Sequence, residues 1–292
     1  MHELNQMFLP KYTSDPEVIS VIAIDCKNLH TQLIDGFDYL YLVIKKDASA
    51  EDDIIHYSKD KFYIQEYRIT PKRLQQWILT GSNRNIMQWI LGGDILFDRD
   101  GSMHKIREEW TIFPSHLRDK KLLIEFAAFL RVYTRCQEYL CAGQMMDAYS
   151  QVNAMLHHWA RIYIIEAGMH PEVMVWRQVY DINPGVYKMY QELQESNETL
   201  QQRVELVLLA IDFSIVRRIT DCSQMLLSLI GSREEAWTAS ELKEHPLIEE
   251  LQVDLNLVLQ KLVGKHVLDV ITVEDVQLPG VFVIKYKLAN EM

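Results

Sequence analysis

This 292-residue chain has little of what marks the specialised protein classes. Its four cysteines, Cys26, Cys136, Cys141 and Cys222, fall in no metal or redox spacing. A zinc site and a disulfide scaffold are therefore not expected, and a reducing cytoplasm is the expected location. Eight prolines and eleven glycines argue against a loop-rich or linker-rich protein. No apolar run reaches the ~18–20 residues of a membrane helix. The first residues, Met1-His2-Glu3-Leu4-Asn5-Gln6, have neither the basic start nor the apolar core of a signal peptide, so no membrane partner is expected. There is no P-loop, G-x-G-x-x-G, G-x-S-x-G, H-E-x-x-H or C-x-x-C.

Net basic charge is missing as well. The formal net charge is −11. Residues 1–115 carry 13 basic and 17 acidic groups, residues 116–230 carry 11 and 13, and residues 231–292 carry 6 and 11. Nucleic-acid affinity comes largely from Lys and Arg neutralising phosphates, so the long-range field of this chain opposes it. What remains, 48% hydrophobic and 24% charged residues, is the composition of an ordinary globular protein.

Three textures follow one another, and the expected class is α+β. Residues 1–115 mix short strands and helices. Val18–Ile24, Phe37–Ile44 and Phe62–Ile69 read as strands, with a charged loop from Lys45 to Asp53. Thr70-Pro71 opens a helix, and Ile95-Leu96-Phe97 is a short fourth strand closed by Asp98-Arg99-Asp100-Gly101. That last segment reads either as a turn or as a metal-ligand pair. Residues 116–230 read as an antiparallel helical bundle, ending in one unbroken helix from Glu198 to Ile230. In residues 231–292, Thr238-Ala239-Ser240-Glu241 is a capping box. A helix from Leu247 to Val263 and two strands, Val267–Val273 and Val281–Leu288, complete the order of a winged helix-turn-helix.

The order of residues 18–101 resembles the polymerase-beta-type nucleotidyltransferases, near the aminoglycoside nucleotidyltransferases. That family places a Gly-Ser pair after its first strand and two carboxylates two residues apart on its second. Even spacing puts both on one strand face, where they hold two magnesium ions, with a third acid on a later strand. Here the chain reads Asp25-Cys26-Lys27-Asn28 after the first strand, and the second motif is Asp38-Tyr39-Leu40. The resemblance thus implies Asp38 as the metal-holding and catalytic carboxylate and Glu66 as its third-acid partner. Asp35 is a further candidate on the ligand side. The leucine at position 40 marks the site as degenerate. Residues 119–230 fall where the family keeps its substrate-binding bundle. Their segments Asp147-Ala148-Tyr149, His157 to Arg161, Pro171 to Trp176 and Val186 to Leu193 resemble nucleotidyltransferase-like proteins of Bacillus relatives. Asp147, His157 and Arg161 are the candidate ligand contacts, with Arg161 suited to an anionic group or to an ion pair with Glu125 or Glu205.

The implied function is ligand binding, with a nucleotide or other small molecule as the ligand, or protein binding on a scaffold that has lost transfer chemistry. The alternatives are a magnesium-dependent adenylyltransferase and a DNA-binding regulator. The expected reader helix carries Glu249, Glu250 and Asp254 against one base, Lys261, which disfavours DNA. A protein partner or a homodimer is the expected use of the winged-helix tail.

Overall fold

The computed structural model describes residues 1–26, 36–46, 53–275 and 277–289, the side chains of Val216 and Arg217 aside. The chain divides into two compact units, Met1–Pro114 and Ser115–Met292.

The first unit is a mixed five-stranded sheet flanked by helices. In chain order it runs α1 (His2–Ser14), β1 (Val18–Asp25), β2 (Tyr39–Lys45), β3 (Asp53–Lys59), β4 (Phe62–Ile69), α2 (Pro71–Thr80), α3 (Ile86–Gly92), β5 (Asp94–Asp98) and α4 (Ser102–Ile112). The strand order is β3-β4-β2-β1-β5. β2 and β4 run parallel, with Tyr41 opposite Glu66, and the other pairs are antiparallel. β2 is the central strand and is buried from Tyr39 to Ile44, which explains its nearly continuous apolar run. Alternation divides its side chains. Tyr39, Tyr41 and Val43 pack with Leu4, Phe8 and Tyr12 of α1. Leu40, Leu42 and Ile44 therefore point to the other face. There, on β4, the Tyr67 ring lies 6.1 Å from both Trp77 of α2 and Trp89 of α3.

Thr70 caps α2 as its sequence implies, with its hydroxyl accepting from the Arg73 amide. At Gly93, between α3 and β5, a Cβ would lie 2.5 Å from the Ile22 side chain and 2.7 Å from the Trp89 carbonyl oxygen. That joint closes only with glycine.

Most of the loop expected from Lys45 to Asp53 lies outside the described residues, Lys45 and Asp53 themselves belonging to β2 and β3, and the alternation of apolar residues did not reveal β3. Its exposed face mixes Ile54 with His56 and Ser58, and among the described residues β4 is the only strand paired with it. Helix α1 was not expected either, having Pro10 inside it and few apolar residues.

The second unit is built on three long helices: α5 (Ser115–Cys141), α6 (Met145–Glu166) and α9 (Leu200–Cys222). The shorter α7 (Val175–Ile182) and α8 (Pro184–Glu195) lie between the last two in sequence. Gly143 and Gly168 take φ of 72° and 78°, ending α5 and α6 as expected.

The helix expected to run unbroken to Ile230 stops at Cys222. Ser223 is fully buried and separates it from α10 (Gln224–Ile230). The winged helix continues with β6 (Trp237–Thr238), α11 (Ala239–Glu244), α12 (Pro246–Glu249), α13 (Leu255–Gly264), β7 (Leu268–Glu274) and β8 (Phe282–Leu288). The capping box forms with both reciprocal bonds: the Thr238 hydroxyl accepts from the Glu241 amide, and Glu241 accepts from the Thr238 amide.

The single helix expected over Leu247–Val263 is broken, with Gln252 at φ 52° between α12 and α13. Glu249, Glu250 and Asp254 therefore precede the reader helix instead of lining it. Glu250 pairs with Lys120 of α5, and Lys261 lies 4.7 Å from the Tyr133 ring centre, so α13 rests on α5.

Candidate functional site

Asp38 stands immediately before β2, at a strand end. Its carboxylate accepts from the Tyr63 amide at 2.9 Å, its own amide donates to the Tyr63 carbonyl, and its carbonyl accepts from the Cys26 amide. Leu40, two residues further on, is fully buried. The Cys26 thiol is pushed up to about 12 by burial and then by the charges of Asp25 and Asp38. It is protonated at neutral pH and is no nucleophile.

Glu66 lies on the face of the sheet that α1 covers. It is 1% exposed and its carboxylate is saturated. Lys11 donates to Oε2 at 2.6 Å, the Tyr12 hydroxyl donates to the same oxygen at 2.9 Å, and Arg68 donates to Oε1 at 2.6 Å. Arg68 also reaches Asp53 at 3.0 Å. Burial pushes the Glu66 carboxyl up, but the bonds from Lys11 and Arg68 outweigh it and hold it below the usual carboxylate range. The Asp38 carboxylate is bonded to the Tyr63 amide, three residues along β4 from Glu66, whose own oxygens are already engaged by Lys11, Tyr12 and Arg68. Asp35 lies outside the described residues. Among the described residues, no group of three or more His, Cys, Asp or Glu is placed to hold a metal. The magnesium pair implied by the resemblance needs acids converging on one face, and this donor set does not fit it.

The Asp98-Arg99-Asp100 segment is a structural turn. Asp98 accepts from the Met103 and His104 amides and from His104 Nδ1, the last at 2.6 Å, and so caps the first turn of α4. Asp100 accepts from the Ser102 amide, and Arg99 donates to the carbonyls of Val18, Thr13 and Asp15. These bonds replace the metal-ligand alternative.

In the bundle, Arg161 does find Glu125, at 2.7 Å. His158 Nδ1 meets the other carboxylate oxygen at 2.8 Å. Burial raises the Glu125 carboxyl, but the His158 hydrogen bond and the Arg161 charge bring it below the usual range. Lys121, one turn before Glu125 and 5% exposed, is pushed down to about 8, first by burial and then by Arg161. Arg161 Nε is buried and has no acceptor among the described residues.

The other two candidates are His157, one turn before Arg161 on α6, and Asp147. His157 turns away from His158, its ring 4.9 Å from Trp176, which stacks on Tyr190 at 3.9 Å. Asp147 is exposed in the first turn of α6, fourteen positions and about 21 Å of helix rise from Arg161. Asp147, His157 and Arg161 therefore do not form one constellation. The residues that sequence reading missed are Lys11, Tyr12 and Arg68 around Glu66, and Lys121 and His158 around Glu125. Arg68, two residues from Glu66 on the same strand face, and Lys121, four residues before Glu125 on one helix, had local signals.

These features define a nucleotidyltransferase-like protein with a helical substrate-binding-type bundle and a helix-turn-helix tail. The family models agree. Residues 1–118 match a nucleotidyltransferase-like domain, residues 119–218 a YgxA-like substrate binding domain and residues 224–288 a helix-turn-helix domain. The uncharacterized protein YgxA of Bacillus subtilis (strain 168) is 36% identical over 274 residues, covering 94% of this chain and 93% of that protein. The chain belongs to the YgxA-like family. It is also similar to a nucleotidyltransferase-like protein from Exiguobacterium sibiricum 255-15, known from a crystal structure. The TM-score is 0.87 at 29% identity, over 99% of this chain and all of that one.

Proposed function

We propose that this protein binds an anionic small molecule, a nucleotide among the candidates, and does not carry out magnesium-dependent nucleotidyl transfer. The observation that carries this reading is how its acids are engaged. Glu66 is locked by Lys11, Tyr12 and Arg68, the Asp38 carboxylate is bonded to the Tyr63 backbone amide, and the position two residues after Asp38 is a buried Leu40. Metal-assisted displacement needs convergent ligands, whereas binding needs only a shaped surface and a few donors.

Arg161 supports the ligand class. It spends one nitrogen on Glu125 and keeps a buried Nε donor without an acceptor among the described residues, an arrangement that a phosphate or carboxylate oxygen satisfies. The test is incubation with ATP labelled at the α-phosphate, with magnesium, alongside calorimetric titration with ATP. The label is expected to stay in ATP, and Arg161→Met is expected to weaken any nucleotide binding. Transfer of label that vanishes in Asp38→Ala overturns the reading.

A DNA-binding role is the second reading. The break before α13 moves Glu249, Glu250 and Asp254 off that helix and leaves Asn256 and Gln260 exposed on it. Amide side chains of this kind pair with adenine edges. A salt titration against duplex DNA tests this, and no binding at low salt removes it.

A further inference from the structure

The winged-helix sheet has the order β6-β8-β7, and among the described residues β8 is the only strand paired with β7. β7, Leu-Asp-Val-Ile-Thr-Val-Glu, is therefore an edge strand. It has no proline and no bulge, and a β-branched centre at Val270-Ile271-Thr272-Val273. Such an edge is a template for another strand unless something blunts it. The hairpin also exposes apolar side chains: Val270 at 43%, Val273 at 45%, Ile284 at 51% and Phe282 at 56%. A wing shaped for DNA carries bases at its tip; this one carries hydrocarbon.

We infer that β7 pairs antiparallel with β7 of a second copy of this chain, with Ile271 on the twofold axis, to join two three-stranded sheets into one of six strands.

The register is set by the strand itself. β7 has seven residues, and centring on Ile271 is the one arrangement that pairs all seven. Asp269 then faces the partner's Val273, and Leu268 faces the partner's Glu274, so no acid meets an acid. Centring one residue later, on Thr272, puts Asp269 opposite the partner's Asp275, where like charges directly opposed destabilise the pair. The cross-strand lanes also match. Val270 already pairs with Tyr286, and Thr272 with Ile284, within each hairpin. The twofold extends these into one lane, from Tyr286 through Val270 to the partner's Thr272 and Ile284. Identical edges closing on each other about a twofold axis leave no free end for a fibre.

The test uses the full chain and one exposed position. Val273→Lys and Val273→Asp lose the same side chain and differ only in the sign of the charge placed opposite the partner's Asp269. Sedimentation velocity across the micromolar range is expected to show reversible dimers for the natural sequence. Dimerisation should be several-fold tighter in Val273→Lys and at least tenfold weaker in Val273→Asp. A wild-type chain that stays monomeric throughout overturns the inference. So does a dimer that both substitutions change equally. That second outcome moves the contact elsewhere, to the exposed Leu206, Leu209 and Phe213 of α9.

Discussion

Glu66 and Glu125 are both carboxylates buried in regular elements and held by cations, yet their surroundings differ in one respect. Glu66 is closed: Lys11, Tyr12 and Arg68 satisfy both of its oxygens, and the second cation is itself anchored by Asp53. Glu125 also has both oxygens met, by Arg161 and His158, but it is open through its partner: Arg161 keeps a buried nitrogen without an acceptor among the described residues, and Lys121 stands one turn away. The first arrangement fixes α1 to the sheet. The second holds a charged group ready to be completed from outside. A buried acid in a nucleotidyltransferase-like sheet is thus no evidence of catalysis until its partners are counted.

The largest expected effect tests the closed site. Glu66→Ala leaves Lys11 and Arg68 without their common acid and should cost about 3–5 kcal/mol of stability in urea denaturation. Because the folded carboxyl is held low, its contribution is present above the unfolded value of about 4.3 and lost as pH falls through the folded one. Acid unfolding should therefore be less steep in Glu66→Gln. A loss below about 1 kcal/mol, the range of an exposed pair, breaks the contrast.

The open site is sharpened by Lys121. Its ammonium titrates near 8 in the folded protein against an ordinary 10.5. The unfolded chain binds more protons between those values, so stability should rise with pH across that window, by roughly 3 kcal/mol at most. Denaturation midpoints in alkaline buffers should show the rise in the natural sequence and a flat profile in Lys121→Met. A smaller change is expected at Asp98, whose side-chain partner His104 is exposed to solvent: Asp98→Ala removes the cap on α4 and should cost about 0.5–2 kcal/mol. Asp38→Asn keeps an oxygen facing the Tyr63 amide and should change stability by less than about 1 kcal/mol. Thermal unfolding with and without magnesium checks it, and a magnesium shift lost in this variant would restore a metal role to Asp38.

Local chemistry was the readable part of this sequence. The Thr70 cap, the Thr238–Glu241 box and the stops at Gly143 and Gly168 each depend on a few neighbouring residues, and each forms as read. The strand at β2 was legible because burial on both faces leaves an uninterrupted apolar run. Helix α1 was not, because Pro10 interrupts its pattern and its value lies in contacts with distant strands. The long helix was read through Ser223, where neither glycine nor proline marks the break and the apolar spacing resumes at Met225 and Leu226.

The candidate site was legible one residue at a time, Asp38 and Arg161 among them, but not as an arrangement. Whether Asp38 and Glu66 meet depends on the parallel register that sets Tyr41 against Glu66, a pairing across 25 residues. The partner that closes Glu66, Lys11, is 55 residues away on an element the pattern hid.

The docking of α13 on α5 bears on how this protein can be dissected. Lys120 reaches Glu250, and the hydroxyl of Tyr133, the ring under Lys261, donates to Asp212 of α9. Amputating the tail after Ile230 would strip a flank of the bundle's longest helix, and with it the cover over Tyr133. A shortened chain that misbehaves would report on a wounded bundle as readily as on a missing wing, so single-residue edits are the sounder instrument.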